Sequence, residues 1–109
     1  MGYVKIVKKS KEYAGESFSE SITKNNGKLW LSTETAIYTM VDMDGTVITS
    51  GSTTKSNDNK SIGFMIGKTI TAPLSGEYKV IIDLLDSENS EFSDVIGEYN
   101  IEFLVRKAG

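Results

Sequence analysis

Apolar and polar positions alternate along most of this chain, and the period is two nearly everywhere. Residues 95–105 show it best. Val95, Gly97, Tyr99, Ile101, Phe103 and Val105 fall on one face, and Ile96, Glu98, Asn100, Glu102, Leu104 and Arg106 on the other. That pattern predicts a strand with one side in a core and the other toward water. In 77–85, Tyr78, Val80, Ile82 and Leu84 oppose Lys79, Ile81, Asp83 and Leu85. The second face is also partly apolar, so this strand is expected to be central or covered on both sides. Residues 61–71 put Ile62, Phe64, Ile66 and Ile70 on one side, with Gly63 and Gly67 suggesting a bulge or a close backbone approach.

Earlier segments read the same way. Residues 35–50 predict a hairpin about Asp44-Gly45, the dipeptide that a two-residue turn with two positive φ angles favours. Phe18 and Ile22 share a face across Glu20, 25–28 is a turn, and 29–33 is a short strand carrying Trp30, a residue able to plug a core. Residues 3–9 are a first strand or an extended arm. Residues 50–61 are polar and aperiodic, which predicts a long exposed loop. No segment keeps a helical period over three turns; 83–94 is the one place where a helical turn could intrude. Pro73 lacks an N–H, so it ends the 61–71 strand or starts the turn that Leu74-Ser75-Gly76 completes. Seven or eight short strands with turns between them predict an all-β fold, an antiparallel β-sandwich of immunoglobulin-like type. Residues 1–12 form a basic N-terminal arm or first strand, and 13–109 a single β-sandwich domain.

Composition narrows the chemistry. The 109 residues contain no cysteine and no histidine. Disulfides, thiolate ligands, Ser–His and Cys–His catalysis and Cys/His zinc sites are thereby excluded within the chain. No apolar run is long enough for a membrane-spanning helix, and the N-terminus lacks the apolar core of a signal peptide, so a soluble protein is expected. Ile6 breaks the myristoylation pattern begun by Met1-Gly2, and the glycosylation sequon at Asn59-Lys60-Ser61 is read as chance.

The net charge of −3 is unevenly spread. Lys5, Lys8, Lys9 and Lys11 lie in the first eleven residues without an acid. Asp83, Asp86, Glu88, Glu91, Asp94, Glu98 and Glu102 lie in 83–102 without a base. These runs are either two solvated surfaces or an electrostatic key for self-assembly or a partner. The lysines are the candidate interface residues; four of them in an acidic protein give no strong nucleic-acid signal. Asp42-x-Asp44-Gly45 is similar to the start of a calcium loop, but its glycine comes two positions early, and a turn accounts for it. The run 83–94 offers carboxylates for a cation or for hydrolysis, yet nothing indicates a cleft with two acids at a set separation. Tyr78 and Tyr99 fall at inward phases and read as core. No catalytic, metal or cofactor-binding residue is therefore expected.

The order of turn and strand signals carries a resemblance. Gly15-Glu16-Ser17-Phe18, Thr33-Glu34-Thr35-Ala36-Ile37-Tyr38, Asp42-Met43-Asp44-Gly45, Gly63-Phe64-Met65-Ile66, Pro73, Gly76-Glu77-Tyr78 and Gly97-Glu98-Tyr99-Asn100-Ile101 follow one another over 13–105. This series resembles small β-sandwich proteins of bacteriophage virions and looks like the N-terminal domain of phage baseplate upper proteins. The chain departs from that group in Leu29-Trp30-Leu31-Ser32-Thr33 and in lacking the larger receptor-binding or assembly regions. The resemblance implies a non-enzymatic virion component, in the neck, on the capsid as a decoration protein, or in the tail or baseplate. Its partners would be other virion proteins, with several copies per particle, no membrane, and assembly in the host cytoplasm. The alternative is a carbohydrate- or surface-binding immunoglobulin-like module, motivated by loop 50–61 and Trp30. A carboxylate enzyme would rest on 83–94 alone.

Overall fold

The computed structural model describes residues 6–23, 29–86 and 89–105, with the backbone alone at 86 and over 89–94. Eight strands form two sheets. The larger has the order β1 (Ile6–Tyr13), β8 (Asn89–Leu104), β7 (Gly76–Asp86), β3 (Glu34–Asp42) and β4 (Val47–Ser52). The smaller has β2 (Phe18–Thr23), β6 (Ser61–Ile66) and β5 (Thr54–Lys55). The inward residues of both sheets make one core. Val80 and Ile82 from β7, Tyr99, Ile101 and Phe103 from β8, and Phe18, Ile22, Ile62, Phe64 and Ile66 from the smaller sheet are all buried. Phe64 holds the aromatic centre, with ring centroids 6.0 Å from Phe18, 5.5 Å from Tyr99 and 5.4 Å from Tyr38.

The strand alternation expected for 77–85 is present, and β7 is the middle strand of the larger sheet, between β8 and β3. Its partly apolar second face is thus a central-strand signature. The 95–105 strand differs at one end. Gly97 pairs with Ile82 but Val95 pairs with Asp83, so Ile96 is an extra, bulged residue. The bulge reverses the phase: Ile96 is 1% exposed while Val95 faces water. Val105 lies past the strand and is exposed as well.

Several local expectations are corrected. The sandwich is not wholly antiparallel, because β1 runs parallel to β8 along the edge of the larger sheet. Only after the turn at 14–17 does the chain cross to the smaller sheet as β2. The Asp44-Gly45 hairpin is not a two-residue turn. Gly45 takes φ 85°, but Asp44 does not take a positive φ. Gly45 N–H donates to Asp42 O and Asp42 N–H to Thr46 O, which defines a three-residue loop with a glycine bulge. Asp42 Oδ1 also accepts from the N–H groups of Asp44 and Thr46, both at 2.9 Å. Residues 29–33 are irregular rather than a strand. Leu31 N–H bonds the Glu34 carboxylate at 2.7 Å and Glu34 N–H returns to Leu31 O, which ties the segment into a turn. The expected loop 50–61 is half strand: β4 ends at Ser52, β5 occupies Thr54–Lys55, and β6 starts at Ser61, which leaves a polar turn at 56–60. The turn 25–28 lies outside the described residues.

The segment around Pro73 departs most. The strand from 61 ends at Ile66, and Lys68–Thr71 form the helical turn α1. Helix thus intrudes here, whereas the described residues of 83–94 belong to β7 and β8, which pair antiparallel. Thr71, fully buried, shows why. Its hydroxyl donates to Glu16 O at 2.8 Å and accepts from Gly15 N–H at 3.1 Å, so the turn pins the β1–β2 connection. Pro73 follows the helix end, Leu74 is buried, and Gly76 starts β7 at φ 86°, a conformation that a side chain would strain. Gly63 keeps regular register with Ser21 and Thr54, so it marks a close approach rather than a bulge: a Cβ there would meet Glu20 O at 3.3 Å.

Candidate interaction face

Alternation that sends one set of side chains into the core sends the other set to the outer face of the five-stranded sheet. There β1 contributes Lys9 and Lys11, β8 contributes Glu98, Asn100 and Glu102, and β7 contributes Glu77, Lys79, Ile81, Asp83 and Leu85. On β3 the outward positions are Thr35, Ile37, Thr39 and Val41. Strand pairing aligns these in rows. Lys11 lies opposite Glu102, which lies opposite Glu77. Lys9 lies opposite Asn100, then Lys79 and Val41. Ile81 is opposite Thr39, and Asp83 is opposite Ile37.

The four interface candidates therefore separate. Lys5 lies outside the described residues. Lys8 is at an inward phase of β1 and reaches across the open edge of the sandwich to Glu20 of β2, at 2.9 Å. This pair joins the two sheets where β1 and β2 border one another, and its exposure limits its worth to under about 1 kcal/mol. Lys9 and Lys11 remain on the outer face, exposed. Among the described residues the two charge runs meet, with Lys9 and Lys11 on the same face as Glu98 and Glu102. Parallel pairing of β1 with β8 sets the basic segment beside the acid-rich strand, so part of the uneven charge is matched within one sheet. Lys79 Nζ similarly lies 3.9 Å from Glu98 Oε1, and Asn100 Nδ2 donates to Glu98 Oε2 at 3.4 Å.

At one end of this face the twisted sheet and the β3–β4 hairpin enclose an open groove of about 550 Å³. Lys9, Lys11, Glu77, Asn100 and Glu102 line it, with Met43 at the rim. Met43 is 69% exposed at the hairpin tip. Charges of both signs beside an exposed thioether suit a polar protein surface. A shallower hollow on the smaller sheet is lined by Ser19, Ser21, Thr54, Gly63 and Met65, with Lys8 and Glu20, which pair with one another.

The other sequence-level candidates resolve into structure. Asp42 is occupied by its own turn, and among the described residues no three acidic groups could hold a metal ion. Asp83 points outward on β7, while the side chains of Asp86, Glu88, Glu91 and Asp94 lie outside the description. Asp58 organises its turn by accepting from Ser56 Oγ at 2.7 Å and Lys60 N–H at 3.1 Å, and these bonds hold its carboxyl below the usual range. Trp30 is 2% exposed and donates its indole N–H to Ile22 O at 3.3 Å. It is a core plug, as expected, and offers no aromatic platform for a sugar. Tyr99, inward as expected, has a hydroxyl without a hydrogen-bond partner among the described residues; burial first, and then the Glu20 charge, push it up to about 12.

Sequence reasoning marked the second apolar face of 77–85, with Ile81 and Leu85, but passed over Ile37 and Val41 on the same outer face. The signal was the two-sided apolar character of 77–85 together with 35–42, where both phases carry large apolar residues.

No family model matches this chain, and no curated protein does. Solved structures do. CopC from Methylosinus trichosporium OB3b aligns over 93% of this chain and 88% of its own, with TM-score 0.57 and 14% identity. Fibronectin(III)-like modules of Clostridium thermocellum CbhA align over 91% and 92%, with TM-score 0.47 and 15% identity. The extracellular domain of the voltage-gated sodium channel beta4 subunit aligns over 98% of both chains, with TM-score 0.47 and 8% identity. At such identities the likeness concerns fold alone. The fold is an immunoglobulin-like β-sandwich, with eight strands among the described residues.

Proposed function

We propose that this protein is a non-enzymatic structural component of a bacteriophage particle, present in several copies and acting through protein–protein contacts. The contact surface is the outer face of the five-stranded sheet together with the β1 edge. One observation carries the surface assignment: Lys9 and Lys11 stand exposed on an edge strand, lining the mixed-charge groove, on the same face as the apolar positions of β7 and β3 but separated from them by β8. An edge strand also presents unpaired backbone groups to a neighbouring chain. The virion setting is supported by the order of strand and turn signals over 13–105. The absence of Cys and His from the whole chain supports a role without catalysis. Mass spectrometry of purified particles tests the setting. The chain is expected in stoichiometric amounts, and its lack from particles and tails alike sinks the virion role. Incorporation of a Lys9→Glu/Lys11→Glu variant is expected to fall at least ~10-fold; unchanged incorporation removes the β1 edge from the contact.

A further inference from the structure

The three central rows of the outer face are nearly palindromic. Along β7 the outward residues read Lys79, Ile81, Asp83; along β3 they read Val41, Thr39, Ile37. The pairing between these strands is unbroken from Glu34↔Asp86 to Asp42↔Tyr78. The rows are therefore evenly spaced about the Thr39–Ile81 pair.

We infer that a second copy of this chain packs on this face, about a two-fold axis that crosses β7 and β3 at Ile81 and Thr39. Rotation about such an axis lays β7 over the second copy's β7 and β3 over its β3. Ile81 then meets its own equivalent. Lys79 of each copy meets Asp83 of the other, and Ile37 of each meets Val41 of the other. Leu85 of each copy comes beside Glu77 and the Met43 tip of the other. Lys79 and Asp83 thus find opposite charges, and Ile37, Val41 and Ile81 find apolar partners, as a two-fold interface requires. Glu98 lies in the axis row on β8, beside its own equivalent, and is drawn toward Lys79 of its own sheet at 3.9 Å.

The area is sufficient. Nine residues of β7 span eight steps of about 3.3 Å, and five strands each occupy a width of about 4.8 Å, which gives roughly 26 by 24 Å. That is roughly 600 Å² per copy before side-chain relief is counted, close to the ~800 Å² per partner of a standard interface. Five-stranded sheets stacked in this way repeat the face-to-face packing that already joins the two sheets inside each copy. The inference concerns the purified chain and does not depend on a virion role.

Analytical ultracentrifugation over a concentration series tests it. The wild-type chain is expected to dimerise reversibly. Ile81→Asp is expected to abolish the dimer while keeping the far-ultraviolet dichroism and melting point of the folded chain. The decisive arm uses charge. K79D alone and D83K alone each face like charges across the axis, so each is expected to dimerise at least ~10-fold more weakly than wild type. An equimolar mixture of the two brings the introduced aspartate opposite Lys on the other copy, and the introduced lysine likewise opposite Asp, so it is expected to form a heterodimer. A wild-type chain that stays monomeric at every concentration overturns the second copy as occupant and leaves the face to a different protein. A dimer that ignores Ile81→Asp, or single-charge variants that gain nothing on mixing, overturns the geometry.

Discussion

Replacing Tyr99 with phenylalanine is expected to stabilise this protein. The Tyr99 ring packs against Phe18 and Phe64, with centroids 6.4 and 5.5 Å away, and phenylalanine keeps both contacts. What disappears is a buried hydroxyl with no partner among the described residues. Leaving such a group unsatisfied costs about 1–3 kcal/mol, while losing the dispersion contacts of one oxygen costs a few tenths. The net expectation is a gain of about 1 kcal/mol at neutral pH, or roughly 3–6 °C in melting temperature. The same hydroxyl gives a second readout. In the folded state it ionises at about 12 rather than 10, chiefly because it is buried and secondarily because of Glu20. Between pH 10 and 12 the unfolded chain releases this proton while the folded chain retains it. Stability from this source is therefore complete below pH 10 and is lost as the pH rises toward 12. The loss is on the order of 1–2 kcal/mol once solvent screening of the Glu20 charge is allowed for. Tyr99→Phe should raise the urea midpoint at pH 7 and flatten the decline above pH 10. A variant at least ~1 kcal/mol less stable than wild type, or one with an unchanged alkaline decline, refutes the reasoning.

Three further substitutions probe the fold. Gly97→Ala adds a Cβ 3.0 Å from Ile22 Cδ1 and 3.2 Å from both Ile82 and Tyr99, so urea unfolding should show a loss of about 1–3 kcal/mol from overpacking. Thr71→Val keeps the shape but removes the bonds to Glu16 O and Gly15 N–H, and should cost about 1–3 kcal/mol in the same assay. Asp42→Ala removes the acceptor for two hairpin N–H groups and should cost about 1 kcal/mol, whereas Asp42→Asn, which retains a side-chain oxygen, should cost less than half as much by thermal melting.

The sandwich was legible in the sequence because period two is a direct consequence of strand geometry. Phe18 and Ile22, the even residues of 78–84, and Tyr99, Ile101 and Phe103 all lie where alternation puts them. What alternation does not carry is its own interruption. The bulge at Ile96 comes from a one-residue mismatch between β7 and β8, which neither strand displays alone. The helical turn at 68–71 is held by Thr71 reaching residues 15 and 16, a contact far apart along the chain. The hairpin turn depends on whether Asp44 or only Gly45 takes a positive φ, and the Asp42 carboxylate decides that by bonding the turn from outside. The proposed interaction face was half legible. The lysines of 1–11 were visible as a group, but strand phase divides Lys8, which closes the sandwich edge, from Lys9 and Lys11, which face outward. That Lys11 stands opposite Glu102 follows from the parallel β1–β8 pairing, a feature of topology rather than of local sequence.

The central claim is that the outer face of the five-stranded sheet is the working surface. Site-specific photocrosslinking in assembled particles tests it most directly, with a photoreactive amino acid placed at position 9 in β1, at position 79 in β7 or at position 65 on the opposite sheet. Adducts to another chain are expected from positions 9 and 79, with little or none from position 65. Adducts from position 65 alone, or from none of the three, contradict the account.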